Sequence, residues 1–218
     1  MNERGTKAVV WTSVGTLVVI GLAALFVWLL LWKPAYGSQL TAQSAVSLGT
    51  SPTGQKTATV HLNIVQQVGV GQHADWLGYQ TPTNPLHPGT VFNLPAHALV
   101  TVIVHNFDSR TALRNTFFTL VQGTVGNVEY VNGKKMPLMS PDLTSHTFTI
   151  PDLGVSVPME GIPNNAAPNA FETIKFTFKT VGPGRYRWQC IVPCGSGLYG
   201  NGGPMSEIGY MSGVITVT

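Results

Sequence analysis

The 218-residue chain carries 10 % charged side chains against 44 % hydrophobic ones, with a formal net charge of +3. That balance excludes a disordered or highly charged chain, and basic residues this scattered exclude a nucleic-acid-binding patch. Gly 24 and Pro 15 among many Val, Thr and Ile favour short strands joined by turns, and the length has room for one ordinary domain plus an anchor.

Residues 8–32 hold no charge in 25 positions. As a helix they span about 37 Å, enough to cross a hydrocarbon core of about 30 Å. Trp11, Trp28 and Trp32 lie near its ends, where interfacial aromatics sit. Arg4 and Lys7 before the run, with Glu3 the only acid there, stand against Lys33 after it, a weak positive-inside bias. The expectation is a cytoplasmic stretch over 1–7, one transmembrane helix over 8–32 and a domain on the extracytoplasmic side of the plasma membrane. A cleaved signal peptide is the competing reading. Its apolar core is usually about 7–15 residues, shorter than this one, although Ala35-Tyr-Gly37 has the small residues of a cleavage site.

Residues 33–57 are rich in Ser, Thr, Gly and Gln without an apolar period and read as a linker, which leaves 58–218 as the domain. The first predicted strand, Thr59–Val68, alternates through Val60, Leu62 and Ile64. Val91–Val104 follows, with Leu99–Val104 apolar enough to be buried on both sides. Asn115–Val121 is the third, and Asn127–Met136 reads as a hairpin around Asn132-Gly133, a type I′ turn pair. His146–Ile150 and Val155–Val157 come next. Phe171–Thr180 puts Ile174, Phe176 and Phe178 on one face, and Tyr186–Cys190 does the same with Tyr186, Trp188 and Cys190. Gly213–Val217 is the last. About eight short strands and no amphipathic helix indicate an all-β Greek-key sandwich or barrel, preceded by the one transmembrane helix.

The chemistry gathers near the C-terminus. The only two cysteines stand in Tyr186-Arg-Trp-Gln-Cys190-Ile-Val-Pro-Cys194-Gly, where Pro193 stops a strand and bends the chain. His146 begins another strand, and Met211 lies between a Gly-rich loop and the last one. One imidazole, two thiolates and a thioether are a donor set that copper selects. Each residue also has a plain structural use: a disulfide for Cys190 and Cys194 in an oxidising exterior, a strand end for His146, packing for Met205, Met211 and Trp188. Asp142 and Asp152 follow prolines and read as turn formers. No Gly-x-Ser-x-Gly or His-Glu-x-x-His motif occurs.

His146-Thr-Phe-Thr-Ile-Pro, then Pro183-Gly-Arg-Tyr-Arg-Trp188-Gln-Cys190, then Met211-Ser-Gly-Val-Ile-Thr-Val217 resemble the copper-binding half of the cupredoxins. Within them Cys190-x-x-x-Cys194-Gly is similar to the dinuclear CuA loop of haem-copper oxidase subunit II. The resemblance covers 58–218 loosely and 183–217 best. It implies copper at His146, Cys190, Cys194 and Met211 and electron transfer on the outer face of the membrane. It further implies, as partners, haem-copper oxidase subunit I and other respiratory-complex membrane subunits, with an electron-donor protein or quinol as the source.

The chain departs from that pattern at Leu198, where the CuA loop carries a second histidine four residues after its second cysteine, and no histidine follows residue 146. The loop Ser196–Tyr210 is also longer than the usual form. His61, His73, His87, His97 and His105 remain, and no spacing selects one of them. Met205 competes for the thioether role with Met211, which fits the Met-x-Gly pattern better. The departure leaves two other functions open: a copper-free structural subunit closed by a Cys190–Cys194 disulfide, and a membrane-tethered Cu(I) carrier.

Overall fold

The computed structural model describes residues 16–28, 42–70, 73–111, 115–197 and 200–218. They fall in two compact units, one within 1–35 and one within 36–218. In the first, an α-helix (α1) covers 16–28 with its residues exposed, Leu17, Ile20, Leu22 and Phe26 among them. Among the described residues no helix is long and apolar enough to cross a membrane, and the rest of the 8–32 span lies outside them.

The second unit is built from strands, because its apolar residues recur at every second position and turn formers interrupt every run. One sheet holds β1 (Val46–Thr50), β2 (Lys56–Val65), β3 (Gly78–Thr81), β4 (Asn84–Pro88), β6 (Leu99–Asn106), β7 (Thr124–Val131), β8 (Lys134–Met136) and β11 (Glu172–Lys179). Its order is β4-β3-β2-β6-β11-β7-β8, with β1 added beside β2. The other holds β5 (Val91–Leu94), β9 (Thr144–Ile150), β10 (Val155–Glu160), β12 (Gly184–Gln189) and β13 (Ser212–Val217), in the order β10-β9-β12-β13-β5. Both sheets are mixed: β2 pairs β6 and β13 pairs β5 in parallel.

Alternation delivers one face of each sheet to a common core. Val60, Leu62 and Ile64 on β2, Val100, Val102 and Val104 on β6 and Ile174, Phe176 and Phe178 on β11 are buried, as are Phe148, Ile150, Trp188 and Ile215 of the smaller sheet. The two faces meet at Phe148 and Phe176, 5.5 Å between ring centroids. Trp188 is the hub: it stacks on Phe148 at 4.6 Å, takes the edge of Tyr79 at 4.8 Å, and donates its indole N–H to the Thr90 carbonyl at 3.0 Å. Gly213 beside it must lack a side chain, since a Cβ there would run into the Thr90 carbonyl oxygen and stand 2.6 Å from the indole nitrogen.

The structure differs from the expectation in several places, among them β3 and β4, which occupy a stretch where no strand is expected. Val91–Val104 is two strands in different sheets, broken where Pro95 cannot donate and His97 takes a positive φ of 54°. Leu99, Thr101 and Ile103 are only half-buried, so β6 has one core face rather than two. Asn115–Val121 is not a strand: the Asn115 side chain accepts the Phe117 N–H at 3.1 Å and starts a 3-10 turn over Thr116–Thr119. Part of the segment read as linker is structured, with β1 pairing Val46 against Val60 through Thr50 against Lys56. The hairpin at Asn132-Gly133 is as expected, with φ of 49° and 82° and Val131 opposite Lys134.

Candidate metal centre

The site forms where β12 runs out. Gln189 is paired with Thr149 of β9 on one side and with Ser212 of β13 on the other. Two residues later the ladder to β9 is replaced by a side chain, since Ile191 N–H donates to Thr147 Oγ1 at 2.9 Å. The Thr147 N–H, released from main-chain pairing there, lies 3.4 Å from Cys190 Sγ. On the other side Cys190 N–H donates to the Met211 carbonyl at 2.8 Å. Cys190 is fully buried, and Cys194 is half-buried beyond the bend at Pro193.

His146 on β9 is also fully buried. His146 Nδ1 lies 3.9 Å from Cys190 Sγ, and Cys190 Sγ lies 3.4 Å from Cys194 Sγ. The three ligand atoms all fall within 4.8 Å of one another, the one such group of His, Cys, Asp or Glu among the described residues. Both cysteines are free, their sulfurs standing well beyond the disulfide bond length of about 2.05 Å.

Two residues complete the surroundings. His146 Nε2–H donates to Asp108 Oδ2 at 2.9 Å, which leaves Nδ1 as the nitrogen that faces sulfur. Asp108 stands just past the end of β6, where its N–H donates to Asn106 Oδ1 at 3.0 Å and Ser109 N–H donates to its own Oδ1 at 2.8 Å. The second is Met205, whose sulfur lies 2.9 Å from Cys194 Sγ. Met211 takes part through its main chain: its carbonyl holds Cys190 N–H and its N–H donates to Pro204 O at 3.0 Å.

Charge in the cluster is distributed unevenly. Burial raises the Cys190 thiol, but hydrogen bonds from Cys194 and His146, the His146 charge and the Thr147 N–H outweigh it and hold the group well below the usual thiol range. Cys194 goes the other way, pushed well up by its hydrogen bond to Cys190, by burial and by the negative charge on Cys190. Burial opposes a charged His146, yet Asp108 and Cys190 together raise it to about 9. The directions agree in favouring charge on His146 and Cys190 over charge on Cys194.

Two sulfurs and an imidazole, with no carboxylate among the three, fit a soft metal ion and suit neither Ca²⁺ nor Mg²⁺. Of the residues read from the sequence, His146, Cys190 and Cys194 come together. Leu198 lies outside the described residues. His61, His73, His97 and His105 are not among the grouped residues. Asp142 and Asp152 open 3-10 turns, as turn formers do. Asp108 was not legible, because its contact with His146 joins strand ends of different sheets. An open apolar groove of about 800 Å³, lined in part by Asn115, Phe117, Leu120, Leu138 and Pro141, shares no residue with the cluster.

No family model and no curated protein matches the chain. It is similar to a chain of a haem-copper terminal oxidase dimer solved by cryo-EM, at 12 % identity over 97 % of this chain and 99 % of that one, with a TM-score of 0.35. It is similar to rusticyanin from Thiobacillus ferrooxidans at 14 % identity over 80 % and 88 %, TM-score 0.33. To dithionite-reduced auracyanin from Roseiflexus castenholzii the identity is 14 % over 78 % and 99 %, TM-score 0.33. Scores this low carry no weight beside the chain's own strands and side chains. Two facing mixed sheets, with a histidine on β9 and the cysteines just after β12 gathered at one point, are the arrangement that the sequence resemblance to cupredoxins implies.

Proposed function

We propose that this chain is an electron-transfer component of a haem-copper respiratory oxidase, a membrane-anchored cupredoxin that holds copper at His146, Cys190 and Cys194. The observation that carries the reading is the convergence of one imidazole nitrogen and two sulfurs within 4.8 Å in a largely buried pocket. Copper bound there would supply a one-electron redox couple. The protein's residues do the rest. Thr147 N–H and His146 stabilise the Cys190 thiolate, Asp108 orients His146, and the packed aromatic core around Trp188 keeps the pocket rigid and dry.

The remaining parts of the proposal rest on the sequence. The uncharged run 8–32 acts as the anchor and leaves the domain on the extracytoplasmic face. An exposed helix over 16–28 that is apolar on all sides is suited to lipid or to protein cover. Bond-making chemistry belongs to a partner, the oxidase catalytic subunit, with an electron-donor protein or quinol upstream. The Sγ–Sγ distance of 3.4 Å favours one second reading, a copper-free structural subunit in which Cys190 and Cys194 are oxidised to a disulfide.

The deciding experiment is metal analysis with visible and EPR spectra on the full-length chain in detergent. Stoichiometric copper with a thiolate-to-copper absorption supports the proposal, and one or two ions per chain separates a mononuclear from a dinuclear centre. Zinc in its place would overturn it, since Cys and His also suit zinc. No metal, with both thiols alkylated only after reduction, would establish the structural subunit.

A further inference from the structure

The sequence pattern points to Met211 as the thioether of the site. The loop geometry points elsewhere. Resting on the copper reading above, we infer that Met205 is the thioether ligand and that Met211 serves only through its main chain.

The donor atoms form a continuous row. His146 Nδ1 to Cys190 Sγ is 3.9 Å, Cys190 Sγ to Cys194 Sγ is 3.4 Å, and Cys194 Sγ to Met205 Sδ is 2.9 Å. Met205 is 7 % exposed and sits at the end of a 3-10 turn, Gly203–Met205, started by Pro204. Among the described hydrogen bonds the Met211 thioether makes none with either cysteine, while its N–H and carbonyl bind Pro204 and Cys190.

The long loop is built to bring Met205 to that position. Gly195 N–H donates to Gly200 O at 2.8 Å, and Ser196 and Gly202 exchange two bonds at 3.1 and 2.8 Å, folding the loop back against the second cysteine. Gly195 has no side chain because Met205 takes the space: a Cβ there would stand 2.8 Å from Met205 Cγ and would strike the Gly202 carbonyl. Gly203, at φ +59°, would bring a Cβ to 2.6 Å from Ser196 Oγ. Those glycines fix the hairpin, and the hairpin delivers the methionine. With Met205 the set becomes three sulfurs and one nitrogen, softer than two cysteines and a histidine alone, and it favours Cu(I).

The test is Cu(I) affinity by competition with a chromogenic chelator, together with the visible spectrum of the separately prepared Cu(II)-loaded form, on the chain in detergent. Met205→Leu, close in volume and so expected to fold, should weaken Cu(I) at least by the roughly 10- to 100-fold that losing an outer-shell partner costs. Met211→Leu should leave affinity and spectrum within about twofold. Met205→Gln, which offers a harder oxygen, should retain copper with a shifted spectrum. Met205→Leu indistinguishable from wild type, or the loss appearing in Met211→Leu, overturns the assignment and leaves the copper reading standing. A wild-type chain that takes up no Cu(I) overturns both.

Discussion

Asp108 Oδ2 lies 2.9 Å from His146 Nε2 and turns the opposite ring nitrogen toward Cys190 Sγ, 3.9 Å away. The carboxylate follows β6, an interior strand of the large sheet, and the imidazole stands on β9 of the small sheet, so the contact fixes the ring across the sandwich. Removing its charge should loosen the ring and lower its basicity toward a metal. Asp108→Asn is expected to weaken copper binding about 10- to 100-fold and to shift the visible band, with the far-UV circular dichroism unchanged. Unaltered affinity would mean that His146 is held by its burial alone.

Gly195→Ala probes the loop without touching a donor atom. The added Cβ meets the Gly202 carbonyl and Met205 Cγ, so the hairpin must open while the sheets stay as they are. The expected result is a thermal midpoint within a few degrees of wild type and a copper spectrum that is altered or lost. A large drop in stability with normal copper content would contradict this.

Trp188 is where the core and the site are joined, two residues before Cys190. Trp188→Ala should cost about 3–5 kcal/mol of stability and release copper at moderate denaturant. Trp188→Phe, which keeps the stacking on Phe148 but loses the bond to Thr90 O, should cost about 1–3 kcal/mol. Chemical denaturation with parallel metal analysis measures both.

Glu129 on β7 is fully buried, and neither of its carboxylate oxygens has a partner. Burial, and then the charge of Glu160, hold its carboxyl well above the usual range. A folded value above the unfolded one of 4.5 means that the native state keeps a proton the unfolded chain releases. That contribution is complete below pH 4.5 and is lost as pH rises toward the folded value. Glu129→Gln is expected to match wild type at pH 4.5 and to become the more stable protein as pH rises above it. Urea midpoints at several pH values test it, and a difference that stays constant with pH would sink it.

The anchor can be tested independently of the metal. The full-length chain should remain with membranes through alkaline carbonate extraction. Leu22→Arg, in the middle of the uncharged run, should reduce that retention, since a central arginine costs about 2.5–3.5 kcal/mol on insertion. Complete extraction of the wild type would remove the transmembrane reading.

Where side-chain period and turn chemistry decide the structure, the sequence is enough to read it. The inward row Ile174, Phe176 and Phe178, the shared face of Trp188 and Cys190, and the Asn132-Gly133 turn all depend on neighbours within a few residues. What escapes such reading depends on distant partners. β1 has only exposed or half-buried residues, so no apolar period announces it, and it exists because Val46–Thr50 pairs along β2. Asp108 becomes a partner of His146 only after two sheets have folded onto each other. The pattern in one dimension favours Met211 over Met205, whereas the fold around Gly195 sets Met205 beside the second cysteine.

The parallel pairing of β13 with β5 has a bearing on how the protein is made. Val91 finds its partner only when Val214 has been synthesised, and β12, which leads into Cys190, has no neighbour on that flank until Ser212–Val217 exists. The segment with both cysteines is therefore enclosed on that flank only once β13 has paired. Until then both thiols are open to oxidation or to a stray metal. On the copper reading, ordered loading of the centre is expected on a chain whose sandwich has already closed.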